Sequence, residues 1–311
     1  MVAVLGIPVA VVAAVLLALG AQLQNQGATR VEEQADPGGS RNVLERLIAL
    51  LSTPRWLGGS TILGIAVALQ LVSLLFAPIA VVQPIGALAL VITVLLDTRM
   101  NRARIPGRAK LAIVICLAGV TTFVVTASLT TSSGSPRALQ TGIVLAVLGG
   151  VLLVAGALLL VLRGRPSALR SALTAALLFG FVATLAKLVI GRLQHVVQSG
   201  SGFQPVDWLT LGAVLALLLA GTIGLGLVQA AYAAGSPDLV VAALTVVDPL
   251  VAVTIGIAVL GEAASAPPTA FAVFVAAGIV AIGGVLLLAR HQPEAGSRDR
   301  PADRAASRSR P

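Results

Sequence analysis

The sequence predicts an all-α bundle that spans a membrane, and three observations carry the prediction. Nine runs of mostly apolar residues follow one another along the chain, each close to the ~20 residues of helix that cross a hydrocarbon core. Hydrophobic residues make up 57% of the 311 positions and the mean hydropathy is +1.00, more apolar side chain than a soluble domain of this size can hide. The charged residues, finally, lie almost entirely between the runs. Lipid offers a backbone amide no partner, so each run has to satisfy its own hydrogen bonds as a helix.

The first run, Val2 to Leu23, lacks the basic n-region of a secretory signal and is expected to remain as a span. At its polar end Gln22, Asn25 and Gln26 fall on one helical face. The second, Trp56 to Phe76, carries Gln70 and Ser73. The third, Ile79 to Leu96, holds Gln83 and Pro84 at mid-span and is followed by Asp97. The fourth, Leu111 to Ala127, contains the single cysteine, Cys116, which can form no intramolecular disulfide and is expected to be a small core residue. The fifth is Leu139 to Leu162. The sixth, Ala172 to Ile190, contains Lys187, the one basic residue inside a run. The seventh, Trp208 to Ala234, aligns Thr222, Gly226 and Gln229 on one face. The eighth, Leu239 to Leu260, contains Thr245, Asp248 and Pro249, and Glu262 follows it. The ninth, Thr269 to Ala289, is marked by Gly278, Gly283 and Gly284. Residues 291–311, rich in Arg, Ser, Ala and Pro, are expected to form a disordered basic cytoplasmic tail.

A net charge of +9 and a pI near 11.4 would point to a nucleic-acid partner in a soluble chain. Here the placement of the charges gives them another meaning. With the N-terminus outside, eighteen of the 21 basic residues fall in loops or the tail on the cytoplasmic side, and only Arg137 and Arg192 fall outside. That bias predicts an N-out, C-in topology. Nucleic acid is not an expected partner. Membrane lipid is, and the expected home is the cytoplasmic membrane of a bacterium, with pairing to a second copy left open.

An internal repeat is legible. Val81, Val82, Gln83, Pro84 is answered by Val246, Val247, Asp248, Pro249, and Asp97 and Glu262 each follow their proline by thirteen residues. A looser correspondence sets Asn25 opposite Lys187. Runs one to four (about 2–128) therefore pair with runs six to nine (about 168–290), with run five (139–162) as a spacer in a single transmembrane domain. An offset of five crossings is odd, so the two copies are expected to run through the membrane in opposite senses. Inverted repeats with binding at the midplane characterise secondary transporters.

Asp248 and Pro249, the apolar stretch to Leu260, the Gly261 and Glu262 pair and the glycine-bearing ninth run together resemble the repeat module of the drug/metabolite transporter superfamily, of the EamA type. The nine spans, the long first loop and the Gln83, Pro84 element look more like its NIPA branch, some members of which move magnesium. The resemblance implies a permease with its path between the two repeats.

Of the twelve acids only Asp248 lies deep in a span. A carboxylate at mid-bilayer costs roughly 2.5 to 3.5 kcal/mol on insertion scales, so it normally faces a cavity or a partner. The bland alternative is an Asp satisfied by Thr245, one turn earlier. Lys187 either reaches toward Asp248 or snorkels its ammonium to the headgroups. Pro84 and Pro249 free a carbonyl each and let their helices bend. Gln22, Asn25, Gln26, Gln70, Gln83, Gln229 and Thr245 supply uncharged groups for a path or for bonds between helices. No cofactor, metal-ligand spacing or phosphate-cradling loop is present in the sequence, and an enzyme is not expected. The reading is a secondary transporter of a small metabolite, amphiphile or cation, proton-coupled through Asp248. A NIPA-like magnesium transporter is the alternative, and a non-transporting scaffold or lipid-handling protein the second.

Overall fold

A computed structural model describes residues 3–33, 48–100, 107–132, 134, 137–161, 167–200, 207–234 and 237–289. Its principal helices are α1 (Ala3–Glu33), α2 (Pro54–Phe76), α3 (Ile79–Gly86), α4 (Leu88–Met100), α5 (Gly107–Thr130), α6 (Ala138–Val161), α7 (Ala168–Ser199), α8 (Asp207–Ala234), α9 (Pro237–Ala258) and α10 (Pro268–Ala289). Among the described residues, nine spans are long and apolar enough to cross a membrane, with α3 and most of α4 forming one of them, Ile79–Leu96. The nine apolar runs are thus nine helical spans, and the protein is an integral membrane protein. Large apolar side chains point away from the bundle, with Leu153 76% and Ile279 66% exposed, as lipid-facing residues do. The expected tail and most of the first loop lie outside the described residues.

Proline explains where the third span is interrupted. Pro78 caps α3 and holds Ala77 before it in an extended conformation, φ −128° and ψ 153°. Pro84 lies inside α3, and the helix stops two residues later; the Ala87 N–H donates back to Pro84 at 3.2 Å before α4 begins. Pro249 behaves differently, since α9 runs through it from Pro237 to Ala258.

The helices pack in matched pairs. α1 lies on α2 as α7 lies on α8; α1 contacts α3 and α4 as α7 contacts α9; and α3 touches α5 as α9 touches α10. Further contacts join α3 with α9 and α5 with α10, while α6 leans on α7 and α8. Small residues let these crossings close, as is usual between membrane helices, where dispersion replaces the hydrophobic drive. At Gly284 an added methyl would lie 2.8 Å from the Cys116 Cβ, and at Gly119 it would lie 2.9 Å from the Ala277 carbonyl. Cys116 itself is fully buried in the core shared by α1, α3, α5 and α10.

Gly284→Val is expected to lower stability by about 1–3 kcal/mol through overpacking, whereas Gly283→Val, with open space at its Cβ, should have little effect. Heating in the presence of a fluorescent maleimide reads this directly, because the buried Cys116 thiol reacts only once α5 and α10 part.

Candidate functional site

Where the two halves meet, a cavity of about 340 Å³ is bounded by α1, α2, α3, α4 and α9. Its polar wall consists of Gln70, Gln83, Thr93, Thr245 and Asp248, and the remainder is small and apolar. Gln83 is brought there by the short α3 and is buried. The Thr245 hydroxyl donates to the Val241 carbonyl at 2.7 Å and that of Thr93 to Ala89 at 2.8 Å. Their hydrogens are used within their own helices, which leaves the hydroxyl oxygens as acceptors. Asp248 contributes the decisive feature: its Oδ1 is shielded from solvent and has no hydrogen-bond partner among the described residues. Thr245 therefore does not satisfy that oxygen. A buried acceptor left unpaired typically costs about 1–3 kcal/mol, a cost that a water or an ion bound there would remove. The cavity is a set of oxygen acceptors around one carboxylate, a chemistry suited to cations.

A second cavity of about 320 Å³ adjoins the first and shares Ala87, Thr245 and Pro249 with it. Pro84, Phe123 and Phe274 help to line it, the two rings lying 5.0 Å apart between centroids. It is apolar almost throughout.

Two further buried charges, Lys187 and Glu262, belong to the α2–α3 turn. Lys187 neither snorkels nor turns to Asp248. It is 7% exposed and its ammonium donates to the carbonyl of Leu74 and, at 2.7 Å, to that of Ala77. On the opposite side of Pro78 the Glu262 carboxylate accepts from the Ile79 N–H at 2.7 Å and the Ala80 N–H at 3.0 Å. Burial pushes the Glu262 carboxyl above its ordinary range, while the Ala80 and Ile79 amides and the Lys187 ammonium pull it back. Glu262 reaches this position because Gly261 adopts a left-handed φ of 71°, a conformation costly for any residue with a side chain. Gly256 supplies the space, since a methyl there would fall 2.9 Å from Glu262 Oε2 and collide with Ile79.

Of the residues singled out in the sequence, the structure gathers Gln70, Gln83, Thr245, Asp248 and Pro249 around the polar cavity and sets Pro84 on the apolar one. Gln22, Asn25, Gln26 and Gln229 line neither; Asn25 and Gln229 are exposed and the other two half-buried. Asp97 lies in α4, but its side chain is outside the described part. Ser73 separates from Gln70 and donates to the Gly6 carbonyl at 2.9 Å, tying α1 to α2. Thr93, the Gln24 to Ser60 bond at 3.1 Å and the Arg192–Asp207 pair at 2.7 Å, which joins α7 to α8, were not signalled by the sequence. Among the described residues, no three of His, Cys, Asp and Glu gather as a metal cage.

The profile of the family described as magnesium transporter NIPA matches residues 1–164, more than half of the 311-residue chain. The protein belongs to the NIPA magnesium transporter family. No curated protein and no solved structure matches the chain. The family match covers α1 to α6 and so includes Gln70, Gln83 and Thr93, while Asp248, Lys187 and Glu262 of this NIPA-family protein lie beyond it. Membership makes it a membrane transporter.

Gly256→Ala is expected to push Glu262 off the Ile79 and Ala80 amides and to cost about 1–3 kcal/mol for the amides left bare. A thermal melt of the purified protein checks this, and Glu262→Gln in the same assay should fall between wild type and Gly256→Ala, because the amide retains one acceptor oxygen.

Proposed function

We propose that the protein is a secondary transporter that passes a small cation through the α3–α9 cavity, that Asp248 holds the ion, and that the cargo is magnesium in largely hydrated form. The observation that carries this reading is Asp248, which lines a cavity otherwise furnished with neutral polar side chains and whose buried Oδ1 has no hydrogen-bond partner among the described residues. Mg²⁺ gives up its waters reluctantly and is usually bound through one or two carboxylates with several waters retained. A hexahydrated ion occupies roughly 200 Å³ at ~30 Å³ per water, which the cavity of about 340 Å³ accommodates. One carboxylate flanked by amides and hydroxyls suits an ion that keeps most of its shell.

Movement of the site between the two sides follows from the repeat. We place the N-terminus outside and the C-terminus in the cytoplasm of a plasma membrane, on the strength of the basic-residue bias. Residues 2–128 and 168–290 then form inverted copies, a relation supported by the matched helix pairs and by the contacts of α3 with α9 and α5 with α10. Rocking one copy against the other about these contacts exposes Asp248 to each side in turn.

A second reading has one observation in its favour. The apolar cavity shares Ala87, Thr245 and Pro249 with the polar one, so an amphiphilic organic cation is a candidate to place its charge at Asp248 and its apolar body beside Phe123 and Phe274.

Reconstituted into vesicles with a magnesium-sensitive dye inside, the wild type is expected to take up Mg²⁺. Asp248→Asn should insert normally and lose roughly 10- to 100-fold in rate, the equivalent of about 1.5–3 kcal/mol for a charge-assisted contact. Undiminished uptake by Asp248→Asn removes Asp248 from the mechanism. Asp248-dependent uptake of a lipophilic organic cation in place of magnesium selects the second reading.

A further inference from the structure

The Asp248 cavity lies off-centre along the bundle. α2 and the span made of α3 and α4 are joined by the turn at Ala77 and Pro78, and α9 packs on α3 but hardly meets α4. The first four residues of α3, Ile79 to Val82, are at most 1% exposed, and the cavity begins only past them, at Gln83. From there it runs away from the turn to Thr93 of α4, with Ala21 of α1 and Leu244 of α9 also on its walls. α4 and α9 thus diverge like the arms of a V whose closed end is the turn.

The closed end is fastened by hydrogen bonds from the second half and from α6. Lys187 of α7 donates to the Leu74 and Ala77 carbonyls, and Glu262 of the α9–α10 turn accepts from the Ile79 and Ala80 amides. The backbone of the α9–α10 turn is tied in as well. The Glu262 carbonyl accepts from the Ser132 N–H, just past α5, at 2.9 Å, and the Leu260 carbonyl accepts from Gln140 Nε2 of α6 at 3.0 Å. An apolar seal would be cheaper to bury, but parting it would expose apolar surface to water. Hydrogen-bonded groups that part exchange one another for water at small net cost, which suits an end that opens and recloses.

We infer that the α2–α3 turn is the gate at one end of the transport path, latched shut by Lys187 and Glu262, and that the Asp248 cavity is entered in this state from the opposite end, between α4 and α9. Opening parts the turn from α7 and from the α9–α10 turn, with α3 and α9 pivoting where Pro84 and Pro249 share the apolar cavity. The inference rests on the alternating-access reading, but on neither the cargo nor the role of Asp248. With the N-terminus outside, the gate is external and the open end cytoplasmic.

Cysteine labelling in sealed membrane vesicles, with a small charged methanethiosulfonate on one side at a time, tests it. In a Cys116→Ala background, Ser52→Cys and Gly134→Cys, both at exposed positions, mark the side opposite the turn and the turn side. Thr93→Cys reports on the cavity, and Ala263→Cys, at a position 4% exposed beside Glu262, reports on the gate. Thr93→Cys is expected to react roughly tenfold faster from the Ser52 side than from the Gly134 side. Lys187→Met or Glu262→Gln should raise reaction from the Gly134 side by roughly tenfold at both reporters, through loss of one charge-assisted bond. Equal reaction of Thr93→Cys from the two sides, or turn-side rates that neither substitution changes, overturns the inference. Failure of both variants to fold also overturns it, since a gate has to survive its own opening. Labelling as expected in a protein that takes up no magnesium supports the gate and removes the magnesium reading.

Discussion

A helix end buried among apolar neighbours leaves backbone donors and acceptors that those neighbours cannot satisfy, and the protein must provide their partners from elsewhere in the chain. The turn at Pro78 poses that problem: the end of α2 leaves carbonyls bare and the start of α3 leaves amides bare. Lys187 answers the carbonyls and Glu262 the amides. Both belong to the second half, more than 100 residues away in sequence. The first half's interrupted hairpin is therefore completed only when the halves assemble. The eight-residue α3 is fixed against α9 as a consequence, with Gln83 on the cavity that contains Asp248.

The same constraint separates the two prolines that the sequence motif aligns. Pro84 lies close to a break at Ala87, which begins a new helix and leaves the third span in two pieces. Pro249 sits in a continuous helix, yet its neighbour Asp248 has a buried oxygen that nothing in the described fold satisfies. One half thus contributes an interrupted backbone and a neutral amide on the cavity wall, and the other an intact helix and a charge. Asymmetry of this kind suits a site that must bind an ion yet release it, since one fixed carboxylate among flexible neutral oxygens holds a hydrated cation without caging it.

The spans were legible because bilayer thickness writes itself into the length of each apolar run, and Asp248 was legible because a carboxylate at that depth is conspicuous. The partners of Lys187 were not. Carbonyl oxygens carry no side-chain signature, and the pairing depends on how α7 packs against the end of α2, so the plausible sequence readings, snorkelling or a bond to Asp248, both missed it. Glu262 was noticed as the end of a repeat, but its function as a cap on α3 depends on the left-handed Gly261 and the space at Gly256. Faces drawn from helical periodicity fared unevenly. Gln70 and Thr245 reach the polar cavity, whereas Gln22, Asn25, Gln26 and Gln229 do not line it, because a helix apolar on all sides gives periodicity little contrast from which to tell interior from exterior. Thr93 escaped notice for a related reason, as threonine bonded to its own helix resembles filler.

Whether Asp248 faces a water-filled path is the question on which the account of the site rests. Asp248→Cys in a Cys116→Ala background, treated in membranes with a small charged methanethiosulfonate, addresses it most directly. Modification at position 248, slowed by millimolar Mg²⁺, is the result this account predicts. A cysteine there that ignores the charged reagent while reacting with a lipid-soluble maleimide would place position 248 against lipid and contradict it.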